Sequence, residues 1–371
     1  MRARDLGIRL QGDPGRLNAI TDVRGLEVGM VTLIQDTADP AVAARTGVTA
    51  ILPLGRAGIG SSVPGAIYSL NGNGEMTGSH WIRETGAVCG PVTITNTHAV
   101  GTVHQGVLDW MARNRPDDVE AWLLPIVAET WDGYLNSINE PFITRAHVGE
   151  AIDNASCGPV AEGSCGGGTG MNCYGFKGGN GTSSRVVAFG GRDYVVGVFL
   201  QANFGDRHEL SINGVAMGDL DAPFPMGEPD WFQTKQGSDR SPGGAGSVIV
   251  VVATDAPMIP GQCEALARRV PMGLARTGTT GGHFSGDIFL ALSTANAGVL
   301  DSDFRQQDEK LRSLEMVPWD QMDRFYAAVV QSVEEAVLNA LVNNETMTGR
   351  SGHTSPALPH EQVRARLAPR G

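Results

Sequence analysis

The sequence has 371 residues, enough for one large domain or two ordinary ones with a sizeable core. Hydrophobic residues make up 41% of the chain and charged residues 18%, which argues against an intrinsically disordered protein. The net charge is −12 and lysine and arginine form no cluster, so the composition also argues against a nucleic-acid-binding protein.

The N-terminus and the cysteines indicate the compartment in which the protein works. Residues 1–15 contain arginines but no apolar stretch, so a signal peptide is not expected. No segment approaches the roughly 18 apolar residues of a membrane span. The cysteines are odd in number and lack the paired spacing of metal sites; they are Cys89, Cys157, Cys165, Cys173 and Cys263. The expectation is a reduced, cytoplasmic protein.

Short apolar runs alternate with glycine-rich turns through the first two hundred residues. These runs predict buried strands at residues 49–54, 87–89, 91–95, 122–128, 185–189 and 194–201. Helical periodicity predicts a helix over residues 103–113, and a further helix is expected at 147–154. Two polar, glycine-rich segments lie between these elements, at residues 69–77 and 162–184.

The C-terminal part begins with a change in composition. Residues 217–246 are polar and rich in proline and glycine, which predicts a mobile loop or linker. Strands are then predicted at 248–253 and 288–292, and helices at 264–275 and 319–343. The tail after Thr346 is expected to be loosely held. Because strands come in adjacent pairs and helices follow groups of strands, we predict a layered α+β fold.

The junction Gly246-Ser247 has the features that a self-generated nucleophile requires. A serine that becomes the first residue of a chain is activated by its own α-amine, whose unperturbed pKa is about 7.7–8.0. A preceding glycine leaves the carbonyl group open to attack, and a buried strand that starts at Val248 would hold the new terminus in place. Taken alone, this pattern also fits an ordinary junction between a loop and a strand.

Several longer motifs occur in a constant order around this junction. They are SLNGNGEMTG (69–78), TNTHAVG (95–101), AETWDG (128–133), QANFG (201–205), GSVIVVVATDAPMIP (246–260) and FSGDIFLALSTAN (284–296). In these motifs the chain resembles the DmpA/BapA-type serine peptidases, the L-aminopeptidase/D-esterases and β-peptidyl aminopeptidases. The resemblance covers roughly residues 1–345, and MRARDLGI and TGVTAILP (46–53) match the L-aminopeptidase/D-esterase type in particular.

The resemblance implies a four-layer αββα sandwich of the N-terminal-nucleophile type. It implies a single catalytic domain, residues 1–371, cleaved into an α chain of residues 1–246 and a β chain of residues 247–371. It also implies release of N-terminal residues from amides, esters and short peptides, without a metal or cofactor. The expected assembly is a homo-oligomer, a tetramer of cleaved heterodimers, with no nucleic-acid or membrane partner.

The resemblance also implies the roles of individual residues. Ser247 matches the nucleophile, while Ser285 and Asp287 match a serine and carboxylate pair that orients it. Asn203 matches the asparagine that donates to the oxyanion. The residues expected to bind substrate are Glu129, which matches the acidic group that receives the substrate ammonium, and Trp131, which lines the pocket.

Other interpretations remain open at this point. The loop residues Asn71, Asn73 and Glu75 either contact the substrate or only form a turn. An amide hydrolase of the same fold with another linear substrate and an acyltransferase of the ornithine acetyltransferase type are the alternative functions. Residues 163–181 lack the G-x-x-x-x-G-K-[ST] phosphate loop, so we expect a loop that flanks the substrate instead.

Overall fold

The computed structural model describes residues 1–223, 246–304 and 309–368. The strands are β1 (Glu27–Asp36), β2 (Ala43–Leu52), β3 (Ser62–Ser69), β4 (Ala87–Cys89), β5 (Val92–Asn96), β6 (Ile126–Thr130), β7 (Asn172–Cys173), β8 (Phe176–Lys177), β9 (Gly179–Phe189), β10 (Arg192–Asn203), β11 (Ser211–Ile212), β12 (Val215–Ala216), β13 (Gly246–Thr254), β14 (Ser285–Ser293), β15 (Met347–Thr348) and β16 (Thr354–Ser355).

The α-helices are α1 (Ser79–Thr85), α2 (Val100–Asn114), α3 (Pro116–Ala121), α4 (Arg145–Asp153), α5 (Pro260–Ala267), α6 (Val270–Ala275), α7 (Asp323–Val342) and α8 (His360–Leu367). Short 3₁₀ helices lie at Ile20–Asp22, Arg56–Gly58, Thr97–Ala99, Gly166–Gly168, Arg207–Glu209, Trp319–Gln321 and Arg350–Gly352.

Two sheets contain the long strands. One has the order β1-β2-β5-β6, and the other has the order β4-β3-β14-β13-β10-β9. Neighbouring strands are antiparallel, except for the parallel pairs β5–β6 and β13–β14. The strand β13, which begins at Gly246, therefore lies in the middle of the larger sheet between β10 and β14.

Three hydrophobic cores show that the sheets and helices form four layers. The inner faces of the two sheets meet in one core, to which Ile94 and Ile126 of the small sheet and Ile249 and Leu290 of the large sheet contribute. Helices α2 and α4 cover the outer face of the small sheet, and α5, α6 and α7 cover the outer face of the large one. This αββα arrangement confirms the predicted fold class.

Burial fixes the central strand firmly. Residues 248–253 of β13 are fully buried, and alternate side chains enter the core between the sheets and the core under the helices. Each such side chain contributes roughly 1.5–3 kcal/mol by leaving water. The start of β13 is therefore attached to one of the most rigid parts of the molecule.

Most of the predicted strands are present with shifted ends, and the errors have physical causes. The predicted strand at 122–128 is shorter, since β6 begins only at Ile126. The predicted helix at 264–275 is two helices, with Pro271 near the start of the second. Strands β1 and β3 and helix α1 were not predicted, because their burial comes from distant segments rather than from a local pattern.

Two expectations about the C-terminal part were wrong. The tail forms the hairpin β15–β16 and helix α8, in which Val363 is fully buried, so it is not loosely held. Helix α7 is long and apolar enough to cross a membrane by length and composition, contrary to the expectation for the sequence. Most of it is buried against β9 and β10, as in the core helix of a layered protein. Of the predicted linker, residues 224–245 lie outside the described residues.

Candidate active site

Ser247 is the second residue of β13 and is almost completely buried. It is paired with Asn203 of β10 on one side and with Gly286 of β14 on the other. Because side chains alternate along a strand, Ser247 points the same way as Ile249, into the space between the two sheets. There its hydroxyl oxygen accepts a hydrogen bond from the backbone N–H of Trp131, at 3.3 Å. The serine thus lies where both sheets meet.

Gly246 occupies a position that has no room for a side chain. A Cβ atom at this residue would lie 2.1 Å from the backbone carbonyl oxygen of Asn203, well inside van der Waals contact. That carbonyl belongs to the backbone of a central strand and cannot move aside cheaply. The structure therefore gives a steric reason for glycine before Ser247, in addition to the chemical one.

Asn203 is the last residue of β10 and lies directly opposite Ser247 in the antiparallel ladder. Paired side chains on one face of such a ladder are roughly 4.5–5.5 Å apart at Cβ. The carbonyl oxygen of the Asn203 side chain accepts a hydrogen bond from the backbone N–H of Asn172, at 2.9 Å. This bond orients the amide, so that its NH₂ group is the end able to donate to a substrate.

Ser285 and Asp287 form a hydrogen-bonded pair at the start of β14. The Ser285 hydroxyl donates to the Asp287 carboxylate at 2.5 Å, and the Asn71 amide donates to its other oxygen at 3.2 Å. Burial raises the pKa of Asp287, while these two bonds and the N–H of Val248 act in the opposite direction.

The alternation of side chains along β14 decides which part of Ser247 this pair faces. Ile288 and Leu290 of β14 face the inner core, so Ser285 and Asp287 face the opposite side of the sheet. Gly286 is the residue paired with Ser247, and Asp287 is paired with Val248. The serine and carboxylate consequently flank the backbone of the nucleophile, where a free α-amine would lie, rather than its hydroxyl oxygen.

Glu129 is a buried carboxylate within β6, only 3% exposed. One of its oxygens accepts a hydrogen bond from the backbone N–H of Glu75 at 2.9 Å, and the other accepts one from the Thr97 hydroxyl. The pKa of Glu129 is raised overall, because the effect of burial exceeds the opposite effect of these two bonds. Within the described residues the structure gives Glu129 no ion pair with lysine or arginine. A buried carboxylate of this kind is suited to receive a cation from outside.

The loop of residues 69–77 joins the two carboxylate groups. Asn71 donates to Asp287, Asn73 donates to the backbone carbonyl of Phe284 at 2.8 Å, and the N–H of Glu75 holds Glu129. The loop passes so close to β14 that a Cβ atom at Gly286 would lie 2.2 Å from the Asn73 carbonyl oxygen. The loop therefore positions the site through contacts that the sequence alone did not assign.

Trp131 forms part of the wall of a cleft of about 410 Å³, and its backbone N–H contacts Ser247. Its ring is half-buried and packs over Gly133, where a Cβ atom would lie 2.5 Å from the ring. The residues lining this cleft are Ala41, Val42, Trp131, Gly133, Ser137, Ile138, Asn139, Glu140 and Arg350. The position of Trp131 is that of a pocket residue and not of a core tryptophan.

The glycine-rich segment is packed in the interior of the molecule and contacts the site through one residue. It packs between the sheets: a Cβ atom at Gly167 would lie 2.2 Å from the Gln201 side chain, and Lys177 is fully buried, donating to the carbonyls of Met171 and Gly178. Its contribution to the site is Asn172, which orients Asn203. The five cysteines have free thiols. Among the described residues no group of three or more histidine, cysteine, aspartate or glutamate side chains is placed to hold a metal ion.

The structure pairs Ser247 with Asn203 and places Glu129 in the facing sheet. Two further residues of the surroundings had no role assigned from the sequence. Thr97 lies in the motif TNTHAVG, which the resemblance had marked without giving it a role. Arg350 belongs to the tail that was expected to be loosely held, and no local pattern connects it with the cleft.

Comparison with known proteins agrees with this geometry. The model of peptidase family S58 matches residues 18–355. The chain is 45% identical to the β-peptidyl aminopeptidase BapA of Sphingosinicella microcystinivorans, over 99% of this chain and 91% of that protein. It is 43% identical to BapA of Sphingosinicella xenopeptidilytica, over 98% of this chain and 90% of that protein.

Two solved structures are similar over nearly their whole length. One is the L-aminopeptidase D-Ala-esterase/amidase of Ochrobactrum anthropi, described as a prototype for the serine aminopeptidases and a variant of the Ntn-hydrolase fold. Its TM-score is 0.88 at 44% identity, covering 99% of this chain and 98% of that one. The other is a β-aminopeptidase of a Burkholderia species, with a TM-score of 0.88 at 40% identity and complete coverage of both chains. The chain therefore belongs to peptidase family S58 and has the Ntn-hydrolase fold.

Proposed function

We propose that this serine aminopeptidase of family S58 cleaves its own chain between Gly246 and Ser247 and then uses Ser247 as an N-terminal nucleophile. One observation carries the proposal. A buried serine follows a glycine that admits no Cβ atom, and its hydroxyl faces a backbone N–H in the space between the two sheets. The family match favours this function over the acyltransferase alternative.

Hydrolysis then proceeds through an ester of Ser247. The α-amine freed by cleavage takes the proton of the hydroxyl as the oxygen attacks the substrate carbonyl. The NH₂ group of Asn203 and the N–H of Trp131 lie on either side of Ser247 and donate to the oxyanion that forms. The amine or alcohol of the substrate leaves with the proton, and water hydrolyses the ester.

Ser285 and Asp287 hold the α-amine in this account. Their position beside the backbone of Ser247 and Val248 supports the role, since the amine appears at that point after cleavage. A carboxylate near the amine favours its protonated form, and the Ser285 hydroxyl shares that carboxylate. The pair therefore orients the base and adjusts its pKa.

Glu129 selects substrates with a free N-terminus. A substrate ammonium gives the buried carboxylate the cation that it lacks among the described residues. The substrates are amides, esters and short peptides with one residue before the cleaved bond. The names of the relatives include both L- and β-aminopeptidases, and a panel of L-, D- and β-aminoacyl p-nitroanilides ranks these classes for this enzyme.

Replacing Glu129 with glutamine is expected to raise KM for aminoacyl p-nitroanilides by roughly 10- to 100-fold. This range corresponds to the roughly 1.5–3 kcal/mol of a hydrogen bond to a charged group. An analogue that lacks the amino group should bind the variant and the wild type equally. Burial raises the pKa of Glu129, so its carboxylate takes up a proton at a pH above the usual glutamate value of about 4.3. As the pH falls, KM of the wild type should therefore begin to rise above that value.

Steady-state kinetics across the pH range measures both effects, with Glu150→Gln, an exposed carboxylate of α4, as the matched control. If the Glu129 variant binds the analogue without an amino group as much more weakly as it binds the aminoacyl substrate, the carboxylate has a structural function. The proposed recognition is then wrong.

We also propose that the cleaved heterodimers assemble into a homotetramer, as the family resemblance implies. The odd number of cysteines without metal-site spacing supports a cytoplasmic location. Light scattering of the purified enzyme measures the assembled mass, and a monomeric mass would contradict the assembly. Detection of the protein in a periplasmic or secreted fraction would contradict the location.

A further inference from the structure

The cleft beside Trp131 has a positive charge at its wall. Of the described residues that line it, Arg350 is the one with a cationic side chain, and it is half-buried. We propose that Arg350 binds the C-terminal carboxylate of short peptide substrates. This inference rests on the proposed function, because it concerns the side of the same site that receives the leaving part of the substrate.

The backbone connects Arg350 closely to the reaction centre. The N–H of Trp131 is 3.3 Å from the Ser247 hydroxyl oxygen, and the Nε atom of Arg350 donates to the carbonyl of Gly133 at 2.7 Å. Trp131 and Gly133 are two residues apart, at most about 7.6 Å between their Cα atoms. This path sets an upper limit of roughly 17 Å between the guanidinium and the Ser247 hydroxyl oxygen. At about 3.3–3.6 Å per extended residue, a carboxylate bound there belongs to a substrate with only a few residues after the cleaved bond.

The guanidinium is held in place and retains donors for a ligand. The backbone N–H of Arg350 donates to the carbonyl of Leu135 at 2.9 Å. The preceding residue, Gly349, packs against the same carbonyl, since a Cβ atom at Gly349 would lie 2.1 Å from its oxygen. The bond to Gly133 uses only Nε, and the four N–H groups on the two Nη atoms make no hydrogen bond or ion pair within the described residues. A fixed planar guanidinium of this kind matches a carboxylate in two-pronged geometry.

Glu140 also lines the cleft and has to be considered as a competitor. Its side chain is exposed, and among the described residues no ion pair joins it to Arg350. Because water solvates the exposed carboxylate of Glu140, this group only weakly reduces the attraction of Arg350 for a substrate carboxylate. The contact with Gly133, by contrast, keeps the guanidinium beside the path from Ser247.

The two charged groups together define a substrate class. Glu129 receives the ammonium of the first residue, Ser247 attacks the carbonyl that follows, and Arg350 receives the carboxylate at the end of a short leaving segment. Unblocked dipeptides and tripeptides meet all three groups. A C-terminal amide or a p-nitroanilide meets only the first two, and a long peptide carries its carboxylate past the arginine.

The test compares L-alanyl-L-alanine with L-alanyl-L-alaninamide, or the β-alanyl pair if the p-nitroanilide panel favours β-residues. Wild-type enzyme is expected to prefer the acid over the amide in kcat/KM by about tenfold, mainly through KM. Arg350→Gln should remove this preference, so that the acid and the amide are hydrolysed with the same kcat/KM. Arg350→Lys should keep part of it, and Arg268→Gln, a surface arginine paired with Glu264 outside the cleft, should keep all of it.

The outcomes separate this inference from the proposed function. If wild type does not prefer the acid, or if Arg350→Gln lowers the rates for acid and amide by the same factor, Arg350 only supports the loop of Trp131 and the inference is wrong. If wild-type enzyme hydrolyses neither the dipeptides nor any aminoacyl p-nitroanilide, the proposed function itself fails. Thermal unfolding of each variant shows whether the exchange has disturbed the fold.

Discussion

Replacing Ser247 with alanine is expected to lower hydrolysis of aminoacyl p-nitroanilides by roughly 10⁴-fold or more, the loss typical of removing a catalytic nucleophile. The alanine has neither a hydroxyl to form the ester nor, in a chain that remains uncleaved, a free α-amine to act as base. The fold should survive, because the side chain makes one long hydrogen bond and fills little of the core.

Ser285→Ala provides the matched control, since it is the same serine-to-alanine exchange on the neighbouring strand β14. It leaves the nucleophile in place and withdraws one hydrogen bond from Asp287, so a much smaller loss is expected. Initial rates at saturating substrate compare the two variants with wild type. If Ser285→Ala were inactive and Ser247→Ala retained most of its rate, the nucleophile would be misassigned.

Replacing Asn203 is expected to lower kcat by about 10²–10³-fold, the usual effect of losing one donor to the oxyanion. Two variants separate donation from structure. Asn203→Ala removes the NH₂ donor and also the oxygen that accepts the N–H of Asn172. Asn203→Asp keeps an acceptor for Asn172 and replaces the donor by a carboxylate, which repels the oxyanion.

We therefore expect Asn203→Asp to be at least as impaired in kcat as Asn203→Ala, although it should unfold at a higher temperature. Steady-state kinetics and thermal unfolding of the two proteins measure these quantities. An aspartate variant with nearly normal kcat would show that the side chain only accepts the Asn172 hydrogen bond, and the proposed oxyanion contact would be wrong.

Much of the fold followed from local patterns. The apolar runs that became β5, β10, β13 and β14 are buried on both faces, so their composition alone predicts them. The layering of sheets and helices followed from their order along the chain. The register that places Asn203 and Gly286 on either side of Ser247 did not, because it depends on pairing across dozens of residues.

The site was predictable to the extent that its residues lie in continuous motifs. Ser247, Asn203 and Glu129 each stand in a motif that the resemblance covers, and the structure brings them together. The side of the sheet on which Ser285 and Asp287 lie was not predictable, since one residue of offset reverses the face. Arg350 reaches the cleft from a hairpin beyond the last core helix, and only its tertiary contacts reveal its place.

The layered architecture explains why a nucleophile is made at this point of the chain. Ser247 is the second residue of a central strand of the large sheet, so its backbone is held on both sides while the hydroxyl faces the gap between the sheets. The carboxylate that we propose as the ammonium site, Glu129, lies in β6 of the other sheet, and the proposed oxyanion donor Trp131 directly follows that strand. The packing of the two sheets and the loop of residues 69–77 together hold these groups in place.

Self-cleavage at Gly246-Ser247 is the central claim, and intact mass spectrometry of purified wild-type protein beside Ser247→Ala tests it most directly. Wild type is expected to give two chains, of 246 and 125 residues, with serine at the N-terminus of the shorter one. The alanine variant is expected to remain a single chain of 371 residues. A wild-type chain that stays whole after long incubation at neutral pH, or an alanine variant that is cut at the same bond, would contradict the account.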